Sequence, residues 1–133
     1  MIVVFDSGVL VSALHFGGTP LAALHAASIH SSIALCTEIE EEVQKALTGK
    51  LKWPETEANR VLQALIRDAR LVHISGVLSG ACRDPKDHII LECAVVAEAD
   101  FIVSGDNDLL VLEQYAGIRI VTPRAFLSAV GTA

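Results

Sequence analysis

Short apolar runs alternate with longer stretches of helical periodicity along the whole of this chain, and that alternation constrains its fold more than any other feature. Runs at 2–5, 32–36, 71–74, 101–104 and 118–121 read as strands. Between and after them, 8–14, 20–30, 38–48, 55–69, 85–98, 108–113 and 123–129 read as helices. Ile39, Val43, Ala46 and Leu47 form one apolar stripe at helical spacing, and Val61, Leu62, Leu65, Ile66 and Ala69 form another. Strands separated by helices are joined by crossovers, which make them parallel and lay helices on both faces of the sheet. The expected fold is α/β, a three-layer α/β/α sandwich around a central, mostly parallel sheet of about five strands.

Proline punctuates this pattern at Thr19-Pro20, Trp53-Pro54, Asp84-Pro85 and Thr122-Pro123. In a helix's first turn the missing N–H of proline would have no partner anyway, so each pair marks a helix start. Gly17-Gly18 and Thr48-Gly49-Lys50 read as loops, and no linker or repeat divides the sequence, so one domain is expected over 1–133. A hydrophobic content of 52% with 20% charged residues argues against disorder and suits a sheet covered on both faces. No basic segment precedes the first apolar run, and Asp6 interrupts it, so neither a signal peptide nor a membrane span is expected and a cytoplasmic location is. Cys36, Cys82 and Cys93 are odd in number and form no Cys-x-x-Cys pair, as reduced, packed thiols would.

Carboxylates fall where a sheet of this kind binds ligands, outside the carboxyl ends of its strands. Asp6 ends the run Ile2-Val3-Val4-Phe5, and Asp106 follows the run Phe101-Ile102-Val103-Ser104. Each acid also has a plainer reading. Asp6 is a good helix N-cap, Asp84 and Asp87 suit a variant capping box, and Ser104-Gly105-Asp106-Asn107-Asp108 suits a turn in which Asp108 caps a helix. Those readings do not account for the coincidence of Asp6, Asp87 and Asp106. Glu38, Glu40, Glu41 and Glu42 crowd the next helix start; with Ile39 and Val43 inward, Glu42 lies beside the apolar face and Glu40 is solvated. A different helix start would turn Glu41 or Glu38 inward instead. Hard oxygen donors around one crevice suit Mg²⁺ or Mn²⁺, and phosphodiester hydrolysis is the natural chemistry of such a centre. The net charge of −6 lacks the basic signature of a nucleic-acid binder. Divalent cations in an acidic pocket meet that objection, because they invert the local potential.

Taken together, the order and spacing of these pieces resemble the PIN-domain family, and within it the VapC-like ribonucleases of toxin–antitoxin systems. The pieces are Ile2-Val3-Val4-Phe5-Asp6 with Val9-Leu10-Val11, Glu42-Val43 with Ala46-Leu47, Cys82-Arg83-Asp84-Pro85-Lys86-Asp87, Phe101 to Leu110, and Val121-Thr122-Pro123-Arg124-Ala125-Phe126-Leu127. The resemblance implies a metal-dependent ribonuclease acting on single-stranded RNA and leaving a 5′-phosphate and a 3′-hydroxyl. By position it implies that Asp6, Glu42, Asp87 and Asp106 are the catalytic and metal-binding acids, with Asp84, Ser104 and Asp108 auxiliary. It further implies Mg²⁺ or Mn²⁺ as cofactor, a cognate antitoxin protein as partner, and a homodimer.

One departure stands out. The family usually carries Asp-x-Asn after the first strand, and here Gly8 stands in place of that Asn. Losing a group that orients metal ligands costs about 10- to 100-fold in affinity or activity, which opens the alternative of a weak or inactive RNA- or protein-binding module. A haloacid-dehalogenase-type phosphatase is a lesser alternative, since it would need a second Asp at position 8. The histidines show no pair at zinc-site spacing. Lys45, Lys50, Lys52, Arg60 and Arg67 read first as solvated helix faces and second as a rim for a phosphate backbone, and Trp53 and Tyr115 read first as cover for the core edge and second as base-stacking rings.

Overall fold

The structure is a computed structural model that describes residues 1–75 and 85–131. Strand β1 (Ile2–Phe5) lies inside the sheet, with Val3, Val4 and Phe5 completely buried. Successive strand residues point to opposite faces, so burial of all three means that both faces are covered. The remaining strands are β2 (Ser32–Leu35), β3 (Arg70–Leu71), β4 (Phe101–Val103), β5 (Gln114–Tyr115) and β6 (Ile118–Val121), in the order β3-β2-β1-β4-β6-β5. All pairings are parallel except β5 with β6.

The helices are α1 (Ser7–His15), α2 (Gly18–His30), α3 (Thr37–Thr48), α4 (Glu55–Arg67), α5 (Pro85–Ala97), α6 (Asn107–Leu110) and α7 (Pro123–Ala129). Helices α2 and α7 pack together and reach β2, β4 and β6, whereas α5 lies against β1, β2 and β4 with α3 beside it. This is the three-layer α/β/α arrangement that alternation demanded, with six strands in place of about five. The Phe126 ring joins α7 to the sheet, edge-on to Phe5 at 6.1 Å and to Phe101 at 5.5 Å. Edge-to-face pairs of this kind add to the stabilisation from area burial. Cys36 and Cys93 are buried free thiols; Cys82 and Asp84 lie outside the described residues.

Three expectations need correction. The sixth strand, β5, forms a hairpin with β6 through Ala116 and Gly117, at φ 52° and 82°. Two positive φ values in a two-residue loop are the type I′ pattern, which Asn-Gly would have announced and Ala-Gly did not. Helix α2 begins at Gly18, two residues ahead of Pro20, because Gly17 takes φ 78° at the N-cap. Pro20 remains in the first turn, where no intrahelical partner is lost. Pro54 is the N-cap residue of α4 itself, whereas Thr122 and Pro123 behave as read: the Ala125 N–H donates to Thr122 Oγ1 at 3.1 Å.

Candidate functional site

From β1 the chain crosses to β2 on one side, while β4 pairs with β1 on the other. This reversal of strand order opens a crevice at the carboxyl ends of β1 and β4. Asp6 is the first residue past β1, and its N–H extends the ladder to the Val103 carbonyl at 3.0 Å. Its extended backbone (φ −70°, ψ 160°) turns the side chain onto the start of α1, where Oδ1 accepts the Val9 N–H at 2.8 Å. Oδ2 accepts the hydroxyl of Ser104, which is completely buried. The Ser104 oxygen in turn accepts the Asp106 N–H at 3.0 Å, and Asp106 Oδ1 accepts the Asp108 N–H at 2.9 Å. One hydrogen-bonded chain thus runs from Asp6 through Ser104 and Asp106 to Asp108.

Burial raises the Asp6 carboxyl above its ordinary range; hydrogen bonds from Ser104 and the Val9 N–H oppose the rise, and the charge of Asp106 adds to it. Asp87, in the first turn of α5, is buried at 4% exposure. Asp6, Glu42, Asp87 and Asp106 line one cleft of about 590 Å³, in which Ser7, Gly8, Val9 and Ser12 form the wall contributed by α1. Glu42 is half-buried, whereas Glu38 and Glu41 are exposed, so of the competing glutamates Glu42 is the one at the cleft. Glu40, expected to be solvated, is half-buried instead, and desolvation together with the charge of Glu41 raises its carboxyl.

Asp87, Asp106 and Asp108 each offer a carboxylate oxygen, and the three lie within 4.8 Å of one another. Among the described residues this is the group able to hold a cation. Its all-oxygen donor set suits a hard divalent ion better than zinc, which favours nitrogen and sulfur. Asp108 therefore stands in the tight group, while Asp6 borders the same cleft with both oxygens engaged. Ser12, Pro20 and Pro123 also line the cleft, a place the sequence reading did not give them. Ser12 sits four residues after Gly8, a helical spacing that could have flagged it. Nothing local to Pro20 or Pro123 signals their position, which depends on how α2 and α7 pack. A second cleft of about 860 Å³, bordered by Leu14, Leu21, Leu24, Val61 and Leu65, is more apolar and has Asp68 at its edge.

Gly8 is exposed at the cleft, and a Cβ added there would meet Asp6 Oδ1 at 3.5 Å, an ordinary contact. A Cβ therefore fits at this position. No single helix among the described residues is long and apolar enough to cross a membrane.

In comparison with known proteins, the family model for the PIN domain matches residues 2–108. No curated protein matches the sequence significantly. Among solved structures, the crystal structure of VapBC2 from Rickettsia felis bound to a DNA fragment from their promoter contains a chain that superposes with a TM-score of 0.66. The match covers 90% of this chain and 97% of that one at 13% sequence identity, a likeness of fold.

Proposed function

We propose, from the premise that this chain belongs to the PIN domain family, that it is a metal-dependent endoribonuclease of single-stranded RNA and the toxin of a toxin–antitoxin pair. The observation that carries this reading is the convergence of Asp6, Glu42, Asp87 and Asp106 on one cleft, with Asp87, Asp106 and Asp108 close enough to share an ion. A cognate antitoxin, a homodimer, a single domain over 1–133 and a cytoplasmic location belong to the same proposal. The VapBC2 likeness supports it at the level of fold.

In this reading Asp87, Asp106 and Asp108 would hold Mg²⁺ or Mn²⁺, with Asp6 completing the acidic wall. Such an ion would supply positive charge to the phosphate oxygens and make water a better nucleophile. Asp106 is held in place by its own N–H bond to Ser104 and by capping Asp108, so its carboxylate is oriented before any ligand arrives. Ser104 fixes one Asp6 oxygen and the Val9 N–H fixes the other. Glu42, on α3 in the cleft lining, would accept the proton of the attacking water as general base; as the new oxygen–phosphorus bond forms, the bond to the 3′ oxygen breaks and that oxygen leaves as a hydroxyl with a proton from solvent. Asp84, a further auxiliary acid in this proposal, lies outside the described residues.

The deciding experiment incubates mixed RNAs with Mn²⁺ or Mg²⁺ and compares the wild type with Asp6→Asn and Asp106→Asn. Cutting by the wild type alone, leaving 5′-phosphate ends, is the expected result; equal cutting by all three would mean a contaminating nuclease. A second reading, a weak or silent RNA-binding module, is favoured by Gly8, which places no amide beside Asp6. Metal binding by the wild type without cleavage of any RNA would select it.

A further inference from the structure

The α1 wall continues beyond the acidic cleft. Gly8 and Ser12 line the cleft, and positions four apart share a helix face, so the same face leads to Phe16 at the helix end with His15 beside it. Lone exposed apolar side chains are commonplace, but Phe16, 75% exposed, is not alone. The His15 ring stands edge-on to it at 4.5 Å. The Trp53 indole N–H donates to His15 Nδ1 at 2.8 Å, with the two rings 6.1 Å apart. Trp53 packs against the core, and its backbone N–H donates to the Leu47 carbonyl at 2.8 Å, so the loop after α3 clamps it in place. That loop also carries Lys50 and Lys52, both exposed.

An aromatic corner at the end of the helix that also lines the acidic cleft, with two exposed cations on the loop that carries Trp53, has the makings of a single-strand binding site. We infer that the Phe16–His15–Trp53 corner is a stacking step for an unpaired base of the RNA strand held in the cleft, with Lys50 and Lys52 taking phosphates. The inference rests on the nuclease reading and deepens it. Every base has a stacking face, so such a step selects single strands over duplexes without reading sequence. Helix α1 spans about 13 Å at 1.5 Å per residue, which places the stacked base away from the scissile phosphate.

The test measures binding, not cleavage. Trp53 is the chain's single tryptophan, so its fluorescence reports on the corner directly. A labelled mixed-sequence single-stranded RNA with phosphorothioate linkages, chosen to slow consumption of the bound strand, is titrated in Mg²⁺ against the wild type, Phe16→Ala, Phe16→Trp and the pair Lys50→Glu with Lys52→Glu. Single-stranded RNA is expected to quench Trp53 in the wild type, and a duplex of the same sequence is not. Phe16→Ala is expected to weaken binding roughly 5- to 150-fold with an unchanged melting temperature, and Phe16→Trp to restore it. The lysine pair is expected to lower the slope of log K against log salt by about 0.7 for each phosphate no longer neutralised. Unchanged RNA affinity in Phe16→Ala overturns the inference, and loss of self-association in that variant with RNA affinity intact would assign the ring to a protein contact. RNA cleavage together with that result leaves the nuclease reading standing; Phe16-dependent binding without cleavage in metal does the reverse.

Discussion

At Asp6 a helix cap and a candidate site acid are the same side chain. Because burial raises its carboxyl, the folded state favours the protonated form: that contribution is complete below the unfolded value near 3.8 and is lost as pH rises through the folded value. Asn keeps a capping oxygen and carries no charge. In metal-free solution the melting temperature of Asp6→Asn relative to the wild type is therefore expected to climb from acid toward neutral pH, while RNA cleavage is lost. Ser104 holds Asp6 with its hydrogen and Asp106 with its oxygen. Ser104→Ala leaves both partners short of a buried bond, and a loss of about 1–3 kcal/mol in denaturant unfolding is expected. Gly8→Asn puts an amide where ordinary space exists beside Asp6. Metal affinity or cleavage is expected to rise roughly 10-fold or more, measured by Mn²⁺ titration and RNA turnover; no gain in either would remove Gly8 as the cause of weak activity.

At the scale of elements, α7 closes the structure through one side chain. Phe126 is completely buried between Phe5 and Phe101, and α7 also brings Pro123 to the cleft. Phe126→Ala is expected to cost about 3–5 kcal/mol in denaturant unfolding. The β5–β6 hairpin holds a cost that can be relieved. Ala116 sits at φ 52°, where its Cβ is strained by about 1–2 kcal/mol and glycine would not be. Ala116→Gly gives part of that back, less the extra freedom of glycine in the unfolded chain, so a small rise in melting temperature is expected with cleavage unchanged.

For the whole molecule, a net charge of −6 and a cleft lined by acids give the proposed metal site an expected effect on stability. An ion that binds only the folded state adds about 2.7 kcal/mol at 100 times its dissociation constant. Thermal melts with increasing Mn²⁺ or Mg²⁺ are expected to shift upward in the wild type and to lose that shift in Asp106→Asn. Size-exclusion with light scattering checks the proposed homodimer, which a monomer at all concentrations would refute.

Period and punctuation made the layers legible: runs of four apolar residues joined by amphipathic helices admit little besides a parallel, doubly covered sheet. Asp6, Asp87 and Asp106 could be picked out because strand ends and helix starts have known places around such a sheet. Other features had no local signal. The β5–β6 hairpin hides in Ala-Gly, the half-burial of Glu40 depends on the rotation of α3, and Pro20 and Pro123 reach the cleft through the packing of α2 on α7. The sequence alone therefore determined, β5 apart, which elements form and which acids stand at their ends, because those follow from spacing along the chain. Only the tertiary structure decided that Asp108 joins Asp87 and Asp106 while Asp6 is held by Ser104, because distances between side chains on different elements depend on how those elements pack.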